Sequence, residues 1–323
     1  LELIKILLRH PEAEIVAVTD LQEGQPHVAM IHPSLTGRLD ICVEKLSPAE
    51  IAARADCVFG CLPHGVSASL VPHLLDGGTR VVDFSADYRL NDPNVFATWY
   101  NQKHGDPGRL GKVVYGLPEL FRDQIPDAPL VANPGCYPTS AILALAPLLK
   151  AGLIEPRGIV VDSKSGVSGA GRTPSLISHY PECNESICAY NVGRHRHTPE
   201  IDQVLSTAAG ASVEVIFSPH LVPMERGILT TTYSQPAGGV NEEQVLEALR
   251  AFYAEEPFVR VVDRLPATKD TLGTNFCHLT ARIVRGRVLT ISCIDNLIKG
   301  SSGAAVQNFN ICLLYTSDAA DDL

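Results

Sequence analysis

Between Glu14 and Ala132 short apolar runs alternate with helical ones, and that rhythm limits the fold more than any other feature of the chain. Glu14–Thr19, Asp56–Cys61, Arg80–Phe84 and Pro129–Ala132 read as strands, with a helix over Ser67–Leu75. Apolar strands separated by helices predict a parallel sheet covered on both faces. Leu1–Arg9 reads as the body of an amphipathic helix with no N-cap, strand or glycine-rich turn before it. A Rossmann-type unit places both a strand and such a turn ahead of its first helix. The expectation is a chain that starts late, about 15–20 residues into such a unit.

From Gly158 the pattern becomes longer and more alternating. Gly158–Asp162, Val213–Phe217, Ile228–Tyr233, Phe258–Val262, His278–Val284 and Arg287–Ile294 read as strands, interrupted by a helix over Asn241–Tyr253. A mixed or antiparallel sheet with helices on one face fits, which makes a second, α+β domain. Ser301–Asn310 reads as a helix returning to the first domain. Cys312–Leu323 breaks that pattern and looks like the translation of a sequencing adapter, a non-native tail.

The chain of 323 residues is 45% hydrophobic and 19% charged, enough for one large domain or two sharing a core. Mean hydropathy is +0.09 and no apolar run reaches the length of a membrane span, so no membrane partner is expected. Nine cysteines without a CxxC predict reduced, cytoplasmic usage. A net charge of −10 argues against a nucleic-acid surface. It leaves room for an anionic substrate, because a local Arg/Lys cluster overrides the global sign. Cys183 and Cys188, near His179, lack the paired spacing that zinc demands, so no metal is expected.

Asn133–Thr139 (Asn-Pro-Gly-Cys-Tyr-Pro-Thr) carries the chemistry. It joins the Pro129–Ala132 strand to a helix expected over Thr139–Lys150, with Pro138 suited to the first helical position and Gly135 allowing close backbone approach. Cys136 then sits at a helix N-terminus, where the macrodipole favours thiolate. Taken alone, Cys136 reads as a small buried hydrophobe, as most free cysteines do. Gly193–Glu200 raises the nucleophile reading, because it supplies His195, His197 and Glu200. If Thr198 and Pro199 begin a helix, His197 lies just before it with Glu200 in reach, as a general acid/base and its orienting carboxylate or as a cap. Lys164–Arg172 is glycine-rich and follows a strand, so its amides are placed to hold an oxyanion or to form an ordinary turn. Pro63 and His64 end a strand where ligands gather in open α/β sheets. Arg89 and Arg226 suit a carboxylate or phosphate, or a structural ion pair.

Those stretches, with Pro219–Met224 and Asp295–Gly300, resemble the N-acetyl-γ-glutamyl-phosphate reductase family in order from Leu1 to about Asn310. The resemblance implies a Rossmann-like NADP-binding domain, here without its first strand and glycine loop, plus an α+β domain like that of glyceraldehyde-3-phosphate dehydrogenase. It puts the boundaries at 1–135 for the NADP domain and 136–294 for the catalytic and oligomerisation domain. The returning helix is 295–311 and the tail 312–323. It implies Cys136 as nucleophile, His197 as acid/base with His195 as the competing choice, and Glu200 as the orienting partner. Pro63, Ser165, Gly166 and Asn296 would lie near NADP; Arg89, Asn133, Arg172 and Arg226 are the candidates for an acyl phosphate substrate, with the arginine that grips it left open. The implied reaction is NADPH-dependent reduction of N-acetyl-γ-glutamyl phosphate to the semialdehyde through a Cys thioester, in a homodimer or homotetramer. A reductase of a carrier-linked aminoadipate phosphate and a cofactor-independent Cys/His acyl hydrolase are the rival functions. The missing glycine loop leaves open whether the chain as given binds NADP.

Overall fold

A computed structural model describes residues 1–20, 24–171, 173 and 175–313. The chain divides into two compact units. The first comprises Leu1–Tyr88, His104–Asn133 and the chain from Ala305, and the second Arg89–Lys103 and Pro134–Ala304.

In the first unit, β1 (Val18–Thr19) pairs in parallel with β2 (Val43–Glu44). The predicted Glu14–Thr19 strand is therefore only its last two residues. Two register pairs are all that β2 offers it, and Val16 gives its carbonyl to Arg54 instead. A separate sheet runs β3 (Cys57–Gly60), β4 (Arg80–Asp83), β6 (Leu130–Ala132), β5 (Val114–Tyr115), with every neighbour parallel. The helix Ser67–Asp76 lays Ala68, Val71 and Leu74 on Val81, Leu130 and Ala132. Those side chains leave water together, which stabilises the unit by about 25 cal/mol per Å² of apolar surface. Asp87 caps that helix, taking the Gly65 amide at 2.7 Å and the Ala68 amide at 3.0 Å. The helix Gly303–Cys312 runs one residue into the predicted tail, and Cys312 is buried with its thiol on the Ile125 carbonyl. From residue 314 the tail lies outside the described residues.

The second unit is built on one mixed sheet of seven strands, ordered β11-β12-β13-β10-β7-β9-β8. These are β7 (Val160–Ser165), β8 (Cys188–Ala189), β9 (Ile216–Leu221), β10 (Ile228–Ser234), β11 (Val259–Val261), β12 (Cys277–Val284) and β13 (Arg287–Ile294). Only β7–β9 and β11–β12 pair in parallel. The helix Cys136–Lys150 is apolar and buried from Tyr137 to Leu149, as a core helix must be. It meets the sheet through hydroxyls as well as hydrocarbon: Ser140 bonds Ser292 at 2.6 Å, beside the Ser163–Thr230 and Thr232–Thr290 pairs. Such pairing is what lets hydroxyls sit in a core.

Three further elements differ from the sequence expectation. The helix expected over Thr139–Lys150 begins at Cys136, three residues early, with Gly135 as its cap. Pro138 then falls inside the first turn, where its missing N–H still costs nothing. The strand expected over Val213–Phe217 is Ile216–Leu221, because the Val213 and Val215 amides go to Ser206 and Asp202 of the preceding helix. Arg89–Lys103 belongs to the second unit, where Gln203 bonds both the Arg89 carbonyl and the Asn91 amide.

Candidate active site

Cys136, partly exposed, opens its helix, and the Tyr137 amide is directed at its sulfur. The pull of the helix N-terminus toward thiolate meets an opposing effect. Burial pushes the thiol up to about 11, and the Tyr137 amide and the Arg89 charge offset only part of this, while Glu200 adds to it. Burial therefore works against the thiolate that the helix N-terminus favours, and a neighbouring base would offset it.

An imidazole lies close by. The helix Thr198–Ala209 starts immediately after His197, and the imidazole lies against Gly135. A Cβ on Gly135 would sit 2.6 Å from His197 Nε2 and 2.9 Å from Cδ2 and Cε1. Gly135 has φ −70°, so glycine is needed there for space rather than for backbone conformation. The residue preceding Cys136 is thus also the surface on which His197 rests.

Glu200, three residues on, is only 1% exposed. Its Oε1 accepts the Gly135 N–H at 2.8 Å and its Oε2 faces Arg89 Nη1 at 3.4 Å. The carboxylate therefore holds the backbone that turns into Cys136 and pairs a buried guanidinium. His195 occupies an aromatic cage, edge-on to Tyr137, Tyr190 and Phe217 with ring centroids 5.2–5.5 Å away. Its ring lies 4.9 Å from that of His197, and its Nδ1 accepts the His197 backbone N–H at 3.2 Å. Burial and the neighbouring Arg196 charge push its pKa down to about 4, so the ring is neutral with its proton on Nε2. Tyr137 gives its hydroxyl to the His220 carbonyl and receives that of Tyr190 at 2.9 Å. The cage residues carry no local sequence signal; they are brought together from three separate segments.

The glycine turn does not present the amides expected of an oxyanion cradle. Gly166, Val167 and Ser168 donate to the Gly227, Met224 and Glu225 carbonyls, and Gly169 and Gly171 donate within the turn. A Cβ on Gly166 would lie 2.6 Å from the Glu225 carbonyl, so the glycine serves packing against that neighbouring turn. Lys164 is engaged by Asp162 at 2.5 Å. Ser165 is buried and bonds the Gly166 carbonyl. Asn296 accepts the Gly227 N–H at 2.8 Å and donates to Ser168 at 3.0 Å. Arg226 pairs with buried Asp295 at 3.1 Å. A cavity of about 500 Å³ opens beside the turn, lined by Ser168, Thr173, His179, Tyr180 and Glu225.

The second unit thus brings together Cys136, His195, His197, Glu200 and Arg89, with Ser165, Gly166, Asn296 and Arg226 in a linked pair of turns. Pro63 and Asn133 belong to the first unit. Pro63 is exposed just past the carboxyl end of β3. Asn133 is buried, with its amide on the Asp83 carbonyl and its Oδ1 accepting from Asn308. Arg172 lies outside the described residues. Among the described residues no cluster of His, Cys, Asp and Glu is arranged for a metal, and no helix is long and apolar enough to cross a membrane.

Residues 1–128 match a family described as the semialdehyde dehydrogenase NAD-binding domain, and residues 136–296 one described as its dimerisation domain. A protein of Rhodopirellula baltica named N-acetyl-gamma-glutamyl-phosphate reductase is 53% identical over 317 residues, covering 96% of this chain and 91% of that one. Its namesake in Citrifermentans bemidjiense is 50% identical over 315 residues with the same coverage. Among solved structures, aspartate semialdehyde dehydrogenase with NADP from Candida albicans has the same fold, with a TM-score of 0.66 at 16% identity over 96% of this chain and 94% of that one. Aspartate semialdehyde dehydrogenase II from Vibrio cholerae aligns with a TM-score of 0.65 at 15% identity, over 87% and 86% of the two chains.

Proposed function

Because the chain belongs to the N-acetyl-γ-glutamyl-phosphate reductase family, we propose that it reduces N-acetyl-γ-glutamyl phosphate to N-acetyl-glutamate 5-semialdehyde and phosphate, in arginine biosynthesis. The observation that carries the mechanism is His197 Nε2 resting against the residue before Cys136. As the sulfur attacks the acyl carbon, His197 takes the thiol proton and the carbonyl oxygen becomes an oxyanion. The carbon–oxygen bond to phosphate then breaks, the electron pair leaves with the phosphate, which takes a proton from solvent, and a thioester on Cys136 remains.

Parallel strands whose carboxyl ends carry the exposed Pro63 turn suit a dinucleotide. When bound, NADPH supplies the hydride that reduces the thioester carbonyl. His197 returns its proton to the resulting hemithioacetal oxygen. On collapse that hydroxyl proton passes back through His197 to the sulfur, and the aldehyde leaves. We assign proton transfer to His197 rather than His195, since the latter's Nδ1 is occupied and its ring resists protonation. Arg89, whose charge reaches Cys136, is assigned to the substrate's negative groups, and Arg226 to holding the Asp295 turn. Glu200 then positions the Cys136 turn and Arg89, and through the shared Gly135 surface sets where His197 meets the sulfur.

Self-association as a homodimer or homotetramer is supported by the dimerisation-domain match and by one sheet face. On that face Tyr233, Val160 and Ile216 line up across β10, β7 and β9, with Tyr233 37% and Ile216 61% exposed. The test of function is NADPH oxidation that requires the acyl phosphate. A Cys/His hydrolase would release phosphate without NADPH oxidation, and an aminoadipate-type reductase would turn over only its own acyl phosphate. Cys136→Ser should abolish turnover with the fold intact.

A further inference from the structure

Behind the nucleophile lies a stretch of backbone with an unusual winding. Ile298–Ser302 forms a π-helical turn leading into the helix Gly303–Cys312. Such wide turns are uncommon and cluster at functional sites. Gly300, buried in its middle, faces Cys136: a Cβ there would sit 2.8 Å from Cys136 Cβ, 3.1 Å from its Cα and 3.2 Å from Ile294 Cδ1. Gly300 is not among the positive-φ glycines, so its backbone does not require the residue type. The missing side chain matters for space, and two of the three atoms claiming that space belong to the nucleophile.

The turn is fixed from below. The Gly300 amide donates to the Asp295 carbonyl at 3.0 Å, and Ser302 donates twice to Leu297, once from its backbone and once from its hydroxyl. Asp295 is fully buried, and its carboxylate also takes the Leu297 amide at 2.9 Å, the Gly273 amide at 2.9 Å and the Arg226 guanidinium. A wall anchored this firmly does not yield to the residue it supports.

We infer that Gly300 is a positioning residue for catalysis: its bare backbone sets the direction of the Cys136 Cα–Cβ bond, and so where the sulfur stands relative to His197 Nε2. This rests on Cys136 being the nucleophile. Misplacing a reacting atom by an ångström costs on the order of 100-fold in rate while leaving remote binding contacts in place.

Gly300→Ala should therefore lower kcat by about 100-fold with KM within about threefold of wild type. Ile294→Val removes the Cδ1 that the new methyl would also meet. In the double variant Gly300→Ala/Ile294→Val, the thermal midpoint should recover toward wild type while kcat stays low. Iodoacetamide should alkylate Cys136 in that variant at a rate no longer sensitive to His197→Asn, which slows it in the wild-type background. Wild-type kcat in Gly300→Ala, or kcat restored together with stability in the double variant, overturns the inference by making the contact one of ordinary packing. Cys136→Ser separates the premise from the inference: full turnover there removes the nucleophile assignment itself, whatever Gly300→Ala does.

Discussion

Glu200 Oε1 accepts the backbone N–H of Gly135 at 2.8 Å, so a carboxylate on one helix holds the residue that caps the next. The same carboxylate faces Arg89, and all three groups are shielded from water. A buried charge pair of this kind contributes more through the penalty of breaking it than through its own attraction.

Glu200→Ala should accordingly destabilise the protein by about 3–5 kcal/mol, since it leaves a buried guanidinium without that carboxylate. Glu200→Gln keeps an acceptor for Gly135 and should recover most of that loss, while activity stays depressed because Arg89 has lost its counter-charge. Urea unfolding beside steady-state kinetics separates the two variants. Equal stability of Glu200→Ala and wild type would remove the clamp from the account.

His197→Asn should cost about 10³-fold in kcat, within the range for loss of a general acid/base. His195→Asn should cost about tenfold, through loosened placement of the His197 backbone. The reverse order would exchange their roles. Stability gives an independent check on His195. Its folded pKa, about 4, lies below its ordinary value, so the unfolded chain binds a proton that the folded one refuses. The stabilisation is complete above about pH 6.5 and is lost as pH falls toward 4, with a ceiling of about 3 kcal/mol. Denaturation across that window should be less pH-dependent in His195→Asn.

How much of this was legible in the chain depends on how local each cause is. The Cys136 junction could be read because an apolar strand running into a helix leaves a pattern in neighbouring residues. The helix starts three residues before the expected Thr139 because Pro138 marks a first turn without saying which position in it. Val213 and Val215 resembled a strand because nothing nearby reveals that Ser206 and Asp202 take their amides. The Lys164–Arg172 amides looked available for an anion, yet the carbonyls that take three of them lie more than fifty residues away. Likewise the spacing of His197 and Glu200 is visible, whereas the Gly135 and Arg89 partners of Glu200 lie 65 and 111 residues distant.

Alkylation of Cys136 in the unliganded enzyme should climb about tenfold per pH unit through pH 9, because burial holds its thiol up at about 11. Peptide mapping isolates Cys136 from the other eight cysteines. A plateau below pH 7 would restore the standing thiolate and dispense with a base for its activation.

The most direct test is to mix the enzyme with N-acetyl-γ-glutamyl phosphate in the absence of NADPH, quench in acid and examine the peptides by mass spectrometry. One phosphate should be released rapidly per active site and an N-acetylglutamyl thioester should form on the peptide containing Cys136, both absent in Cys136→Ser. Phosphate release without an adduct on that peptide, or an adduct that survives Cys136→Ser, would rule out covalent capture by this sulfur.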